Sequence, residues 1–375
     1  MKNQLITFMK KEAVLTAAML LAAGSMLLVP PDGESPAYID YKTLSLLFCL
    51  MTVMAGLQML GVFYRIGEGL LGKVHREKQV AAILVLLCFF SSMLITNDVA
   101  LITFVPFAIT VLKLAGLESM MIPVIAMQTI AANLGSMTTP IGNPQNLYLY
   151  SKSGIGPVAF VRLMLPYAAV SLGLIAVWLL LSKESGMEHG GIKGGIGSLK
   201  LHKRKVAVYL ALFLLCIGAV AQLLPWQAVL AAVAVCVAFM DRALFLRVDY
   251  SLLLTFTGFF VFIGNMKRVP AFYDFISRIV KGHETLTAVA SSQIISNVPA
   301  ALLLSGFTDK WESLIVGTNI GGLGTLIASM ASLISYKYVA KEYPEKRGRY
   351  LLWFTGANAV FLAVLLLEAG MLQAL

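Results

Sequence analysis

The sequence predicts an all-α polytopic membrane protein built from inverted repeats, with two re-entrant hairpins and two broken transmembrane helices. Three observations predict it. Of 375 residues, 59% are hydrophobic and 13% charged, with a mean hydropathy of +0.83, more apolar than a soluble chain carries. Two stretches 200 positions apart spell nearly the same word, Ser91-Ser92-Met93-Leu94-Ile95-Thr96-Asn97 and Ser291-Ser292-Gln293-Ile294-Ile295-Ser296-Asn297. Downstream of each lies a second matched pair, Asn133-Leu134-Gly135 with Thr139 and Ile141, then Asn319-Ile320-Gly321 with Thr325 and Ile327. Polar breaks duplicated at matching places in apolar sequence mark a site near the bilayer midplane.

Apolar runs at 13–29, 43–63, 158–181, 206–224, 226–245, 250–266 and 350–372 have the ~20 residues a transmembrane helix needs. The regions at 79–116, 119–150, 285–307 and 311–336 are interrupted by Gly, Pro, Asn and Ser. Those at 79–116 and 285–307 are expected to be re-entrant hairpins, and those at 119–150 and 311–336 broken helices, since irregular backbone at that depth must be buried in protein or line a wet cavity. The first repeat is placed at 1–181 and the second at 206–375, joined by a basic, Gly-rich linker at 182–205. Asp40-Tyr41 and Asp249-Tyr250 open corresponding helices, so three landmarks recur in the same order. Taking the matched helices of the second repeat to open at 226–245, the full crossings before them are 13–29, 43–63, 119–150, 158–181 and 206–224, an odd number that inverts the repeat.

The net charge of +10 does not point to nucleic acid, because its placement follows the membrane. Lys2, Lys10 and Lys11 precede the first span; Arg65, Lys73, Arg76 and Lys78 follow the second; further Lys and Arg fill 182–205, 242–247 and 337–349. Alternate loops are poor in both. The positive-inside rule then sets the N-terminus in the cytoplasm and the C-terminus outside, with the chain a multi-pass protein of a bacterial cytoplasmic membrane. The loop at 267–284 mixes charge with Phe272, Tyr273, Phe275 and Ile276 and reads as an amphipathic helix at the outer interface. The first apolar run follows Lys10-Lys11 as in a signal peptide, but the equal runs after it favour an uncleaved first span.

The four histidines, His75, His189, His202 and His283, fall in polar loops without an H-E-x-x-H pattern, which argues against an enzyme. Cys49, Cys88, Cys216 and Cys236 lie in apolar segments with no framework spacing, so packing is expected of them rather than disulfides. No cofactor is expected beyond a coupling Na⁺ or H⁺.

At the first hairpin tip, Thr96-Asn97-Asp98 supplies turn residues and oxygens suited to a hard cation, or a turn that only caps itself. Ser296-Asn297 is its copy; Asp98 has Val298 as counterpart. An ionisable group at this depth is a functional candidate, here the coupling group at which proton and Na⁺ compete; the alternative is a hydrated helix cap. The run Asn133 to Asn146 is too rich in Gly, Pro and amides for a continuous helix. Its unwinding offers carbonyls to a cation on one side and amides to an anion on the other. Candidate anion contacts are Thr96, Asn97, Thr138, Thr139, Asn143, Asn146, Ser296, Asn297 and Thr325. Candidate cation or proton contacts are Asn97, Asp98, Asn133, Gly135, Asn297, Asn319 and Gly321. No Lys or Arg lies inside the broken segments, so hydroxyls, amides and helix N-termini are expected to hold the anion, with the co-bound cation neutralising it.

The run Thr96-Asn97-Asp98 through Pro106, the run Gly135-Ser-Met-Thr-Thr-Pro-Ile-Gly-Asn-Pro-Gln-Asn146, and Ser296-Asn297-Val-Pro299 with Asn319-Ile-Gly-Gly322 resemble the ion transporter superfamily. This group holds citrate and dicarboxylate/sodium symporters, arsenite permeases and some sodium/proton antiporters. The resemblance implies a homodimer in the bilayer, each subunit with a scaffold and a moving transport domain of elevator type. It also implies cation-coupled alternating access for a small anion, a carboxylate or an inorganic oxyanion. Arsenite efflux, sodium/proton exchange and, outside active transport, a passive anion channel are the alternatives. Where the sodium-coupled carboxylate branch has Ser-Asn-Thr at each tip, this chain has Asp98 and Val298 at the third position, closer to the arsenite-permease and related branch. The first repeat also lacks an equivalent of the 206–224 helix.

Overall fold

The computed structural model describes residues 12–71, 76–182 and 202–374. Lys2, Lys10, Lys11, Lys73, His75, His189 and most of the linker expected at 182–205 lie outside them. Among the described residues all regular structure is helical, as a segment must be that satisfies its own backbone in lipid.

The first repeat runs through α1 (Ala13–Leu28), α2 (Tyr41–Met59), α3 (Val62–Leu71), α4 (Glu77–Ile95), α5 (Asn97–Leu114), α6 (Met121–Ser136), α7 (Pro144–Ser153) and α8 (Pro157–Leu181). Then come α9 (Lys203–Val220), α10 (Trp226–Met240), α11 (Tyr250–Lys267), α12 (Pro270–Val280), α13 (Glu284–Ile295), α14 (Asn297–Leu304), α15 (Trp311–Ile320), α16 (Met330–Glu342) and α17 (Arg347–Ala374). The series α2 to α8 and α11 to α17 correspond element by element. Even the caps match: Asp40 accepts the Thr43 amide at 3.0 Å to start α2, and Asp249 accepts the Leu252 amide at 2.9 Å to start α11.

Three expectations change. The short amphipathic helix α3, counterpart of α12, was not foreseen: Arg65, Gly67, Glu68 and Gly69 dilute its apolar face. The arms of the first hairpin, α4 and α5, have 19 and 18 residues, about 28 Å each at 1.5 Å per residue. Both are long and apolar enough to cross a membrane. The second hairpin has arms of 12 and 8 residues and fits re-entry. A hairpin returns to the side it left, so two spanning arms would add a pair of crossings and leave the odd parity unchanged. Finally α10 stops at Met240, short of the run to 245, because Asp241 ends it and residues Arg242–Arg247 tighten into a 3₁₀ turn.

Packing separates an outer group from an inner one. Helix α1 lies on α11, where Gly258 admits the Ala18 backbone, and α9 lies on α2, where the Tyr209 ring covers Gly56. Helix α6 is buried on nearly every side, as expected of a helix apolar all round. It crosses α4 at Gly135, whose missing side chain leaves room for the Phe89 carbonyl and the Ser92 hydroxyl. The second repeat copies that crossing: Gly321, at the end of α15, meets the Ser292 hydroxyl of α13. Leu27, Leu180, Leu181, Leu214, Phe239, Leu352 and Leu367 are exposed on the outside of the bundle, an apolar surface that suits hydrocarbon rather than water.

Candidate functional site

Each hairpin turns on one residue with a backbone that L side chains rarely adopt: Thr96 at φ 67°, ψ 150° and Ser296 at φ 72°, ψ 154°. Such geometry costs on the order of 1–3 kcal/mol and persists where the surroundings impose it. Here they do so identically. The Asn97 amide donates to the Gly142 carbonyl at 3.2 Å, and the Asn297 amide to the Ala328 carbonyl at 2.9 Å. Gly142 and Ala328 occupy the breaks between α6 and α7 and between α15 and α16, 186 positions apart, the same offset as Asn133 and Asn319. Each tip is thus fastened to the broken helix of its own repeat.

Two asparagines then join the repeats. Asn133 accepts from the Asn97 side chain at 3.0 Å and from the Ser329 hydroxyl at 3.0 Å, while its amide reaches the Gly322 carbonyl and the Ser332 hydroxyl, each at 3.5 Å. Asn319 donates to Asn146 at 2.6 Å and accepts from Asn143 at 3.1 Å. A Cβ on Gly322 would lie 2.9 Å from the Asn297 amide nitrogen, so the second tip adjoins the same cluster. Asn97, Asn133, Asn143, Asn146, Asn297 and Asn319 are all buried, and the fold gathers them with Ser296 and Thr138 around the two breaks.

Other expected groups are differently engaged. Asn143 caps α7 by accepting the Asn146 amide at 2.9 Å, with Pro144 at the first helical position. The carbonyls left at the end of α6 are not all free for a cation: the Asn146 side chain donates to those of Ser136, Met137 and Thr139 at 3.1–3.3 Å. The Gly135 and Gly321 carbonyls accept from the Thr138 amide and the Gln293 side chain at 3.1 and 3.0 Å. Thr139 donates to the Met93 carbonyl. Thr325 is exposed and bonds through its amide and hydroxyl to Gln293, apart from the asparagine cluster.

Gln145, Gln58, Arg247 and Asp249 are not among the site residues expected from the sequence, whereas Thr138 and Asp98 are. Gln145, in the first turn of α7, is 1% exposed, yet neither side-chain atom has a hydrogen-bond partner. The Thr138 hydroxyl and one Asp98 oxygen are also buried without partners. Unpaired buried polar atoms are uncommon and cost about 1–3 kcal/mol each, so four of them, on three residues beside two helix breaks, mark a place built to receive something polar. Asp98 lines a cavity of about 180 Å³ with Thr96, Asn143, Gln58, Arg247 and Asp249. Arg247 comes from the 3₁₀ turn before α11, so a fixed positive charge reaches the site from an element the broken segments do not contain. Asp249 acts electrostatically on Asp98.

The crossed asparagines carry a stability expectation. An Asn319→Ala substitution strips Asn143 and Asn146 of a partner each, and a buried group left unpaired costs about 1–3 kcal/mol. Thermal melting of the purified protein should show a drop of several degrees, while Thr325→Ala, at an exposed position, should melt close to wild type.

Helices of spanning length, two strained hairpin tips docked on two broken helices, and unpaired polar groups buried between them define a membrane transporter rather than an enzyme. The comparisons agree. The profile of the citrate transporter family matches residues 5–308, and the chain belongs to that family. It is 32% identical over 324 residues to the inner membrane protein YbiR of Escherichia coli, covering 85% of each chain. It is 33% identical over 321 residues to an uncharacterized transporter of Methanocaldococcus jannaschii, covering 84% of this chain and 85% of that one. The silicon efflux transporter of Oryza sativa is 32% identical over 168 residues, 44% of this chain and 34% of its own.

Proposed function

We propose that the protein is a secondary active transporter that moves a small anion, a carboxylate or an inorganic oxyanion, by cation-coupled alternating access. The observation that carries this reading is the buried cluster at which both hairpin tips and both helix breaks meet, with Gln145 and Thr138 unpartnered and Asp98 and Arg247 beside it. Amides, a hydroxyl and the N-terminus of α7 suit an anion. Asp98 is the group proposed to take the coupling Na⁺ or H⁺, and Asn97 and Asn297 are proposed to present the tips to both ligands. The moving part is proposed to comprise α4 to α7 and α13 to α16, carried by inverted repeats in a homodimer with its N-terminus cytoplasmic and its C-terminus outside.

The test is uptake into proteoliposomes of radiolabelled citrate, sulfate and arsenite, with an Na⁺ gradient, a proton gradient, or neither. Accumulation of one anion that collapses with one gradient is the expected result. Anion accumulation that persists with both gradients abolished would refute the coupling, and a reversal potential set by the anion gradient alone would indicate a channel. Efflux of a weakly acidic hydroxide such as arsenous or silicic acid is the second reading. The likeness to the silicon efflux transporter favours it, and everted vesicles loaded with each solute separate the two.

A further inference from the structure

A second cavity, of about 460 Å³, lies on the face that the charge pattern assigns to the outside. Tyr38, Lys152, Lys267, Ser305, Thr308 and Trp311 line it. It is bounded by the end of α7, the end of α11 and the base of the second hairpin, so it sits between parts proposed to move and parts proposed to stay. Its lining carries two lysines and one aspartate. Lys152 and Lys267 are near enough to repel each other, and Asp309 is the acidic group on the wall. Lys152 is paired with Asp40 at 3.5 Å across α7 and α2, whereas Lys267 enters no ion pair among the described residues. Trp311 is the first residue of α15, so the positive end of that helix dipole adjoins the same space.

Below this cavity the path closes. The Tyr148 hydroxyl and the Ser305 hydroxyl are hydrogen-bonded at 2.8 Å, and the Tyr148 ring packs on Phe256 and Phe260 with centroids 6.1 and 5.5 Å away. Leu147, next in the chain, faces the other cavity, which holds Asp98 and Arg247. The aromatic cluster therefore stands between two cavities, one with Lys152 and Lys267 on its wall and one with Asp98, Arg247 and, of the asparagine cluster, Asn143.

We propose that the outer chamber is a separate binding site for small soluble anions, with Lys152 and Lys267 as its cationic groups and Tyr148 as its floor. It rests on the transport reading only for its role, which is to concentrate the anion on the outer side of the aromatic seal. Asp40 moderates it by occupying Lys152. An excess of positive over negative groups between low-dielectric walls raises the local concentration of anions, and this does not require the chain to transport anything.

Of the four tryptophans, Trp178, Trp226, Trp311 and Trp353, only Trp311 lines this chamber. With the other three replaced by phenylalanine, quenching by iodide is compared with quenching by neutral acrylamide in phosphatidylcholine nanodiscs. Should that variant not fold, the difference between wild type and Trp311→Phe reports the same signal. Lys152→Met with Lys267→Met should lower the iodide-to-acrylamide ratio at least about threefold, and Asp40→Asn, which keeps a capping side chain on α2, should raise it. An unchanged ratio in the double lysine variant overturns the proposal. A lysine dependence of the ratio that is present in phosphatidylcholine but lost in phosphatidylglycerol nanodiscs would show that an anionic lipid headgroup holds the lysines, and would overturn it too. Lysine-dependent quenching without anion flux in proteoliposomes would sink the transport reading and leave the chamber standing. Flux with an unchanged ratio would do the reverse.

Discussion

A Gly135→Ala substitution is expected to abolish recovery of folded protein. The added carbon would collide with the Phe89 carbonyl and the Ser92 hydroxyl of α4. Ordinary overpacking costs about 1–3 kcal/mol because side chains can yield. Here one of the two obstacles is backbone inside a 19-residue helix, so relief requires that α4 and α6 separate. That separation would pull the first tip from its bond to Gly142. Gly173→Ala is the control, because nothing lies within 4 Å of a Cβ at that position on α8, and alanine there should gain up to about 1 kcal/mol of helix propensity. Gly321→Ala should fall between, since the nearest atom is the Ser292 hydroxyl, at 2.6 Å. The measurement is the monodisperse peak on size-exclusion chromatography with a melting curve. A Gly135→Ala protein that elutes and melts like wild type would show that the crossing is not constrained as described.

The repeats were legible because turn and break residues stand out against membrane-grade sequence. Thr96-Asn97 and Ser296-Asn297 interrupt apolar runs, and Pro140, Pro144 and the amides around them forbid a continuous helix. What could not be read was register between distant elements. Nothing local to Asn319 signals that it bonds Asn143 and Asn146, 176 and 173 positions earlier. Arg247 and Asp249 belong to a basic loop in the sequence and share a cavity with Asp98 only because α11 and the turn before it pack against α2. Helix α3 was missed for another reason: its two glycines and its charges lower hydropathy while leaving an apolar stripe, which a window average cannot see but a 3.6-residue period can. Gln145 lay within the quoted run, hidden among four other polar residues that did find partners or caps.

Asp98→Asn is expected to remove the cation or pH dependence of transport while leaving insertion and folding intact. The carboxylate has one buried oxygen without a hydrogen bond and a second carboxylate, Asp249, acting on it. A carboxylate so placed is neutralised by taking a proton or by holding a cation, and Arg247 lies on the same cavity wall. Asparagine keeps the shape and removes the charge, so an empty carrier no longer has to carry an uncompensated charge across the bilayer; a charged group at that depth costs about 2.5–3.5 kcal/mol on insertion scales. Exchange of labelled for unlabelled anion should therefore survive, while accumulation driven by Na⁺ or H⁺ should fall by at least about tenfold, the 1.4 kcal/mol that corresponds to one decade. The Asp98 side chain is not the N-cap of α5; that helix starts at Asn97, whose side-chain oxygen accepts the Asp98 amide at 3.0 Å, so helix capping is untouched by the exchange. Measured in proteoliposomes across pH 5.5 to 8.5 with and without Na⁺, a range about the physiological one in which coupling is read, a wild-type profile in Asp98→Asn would move the coupling site elsewhere in the asparagine cluster.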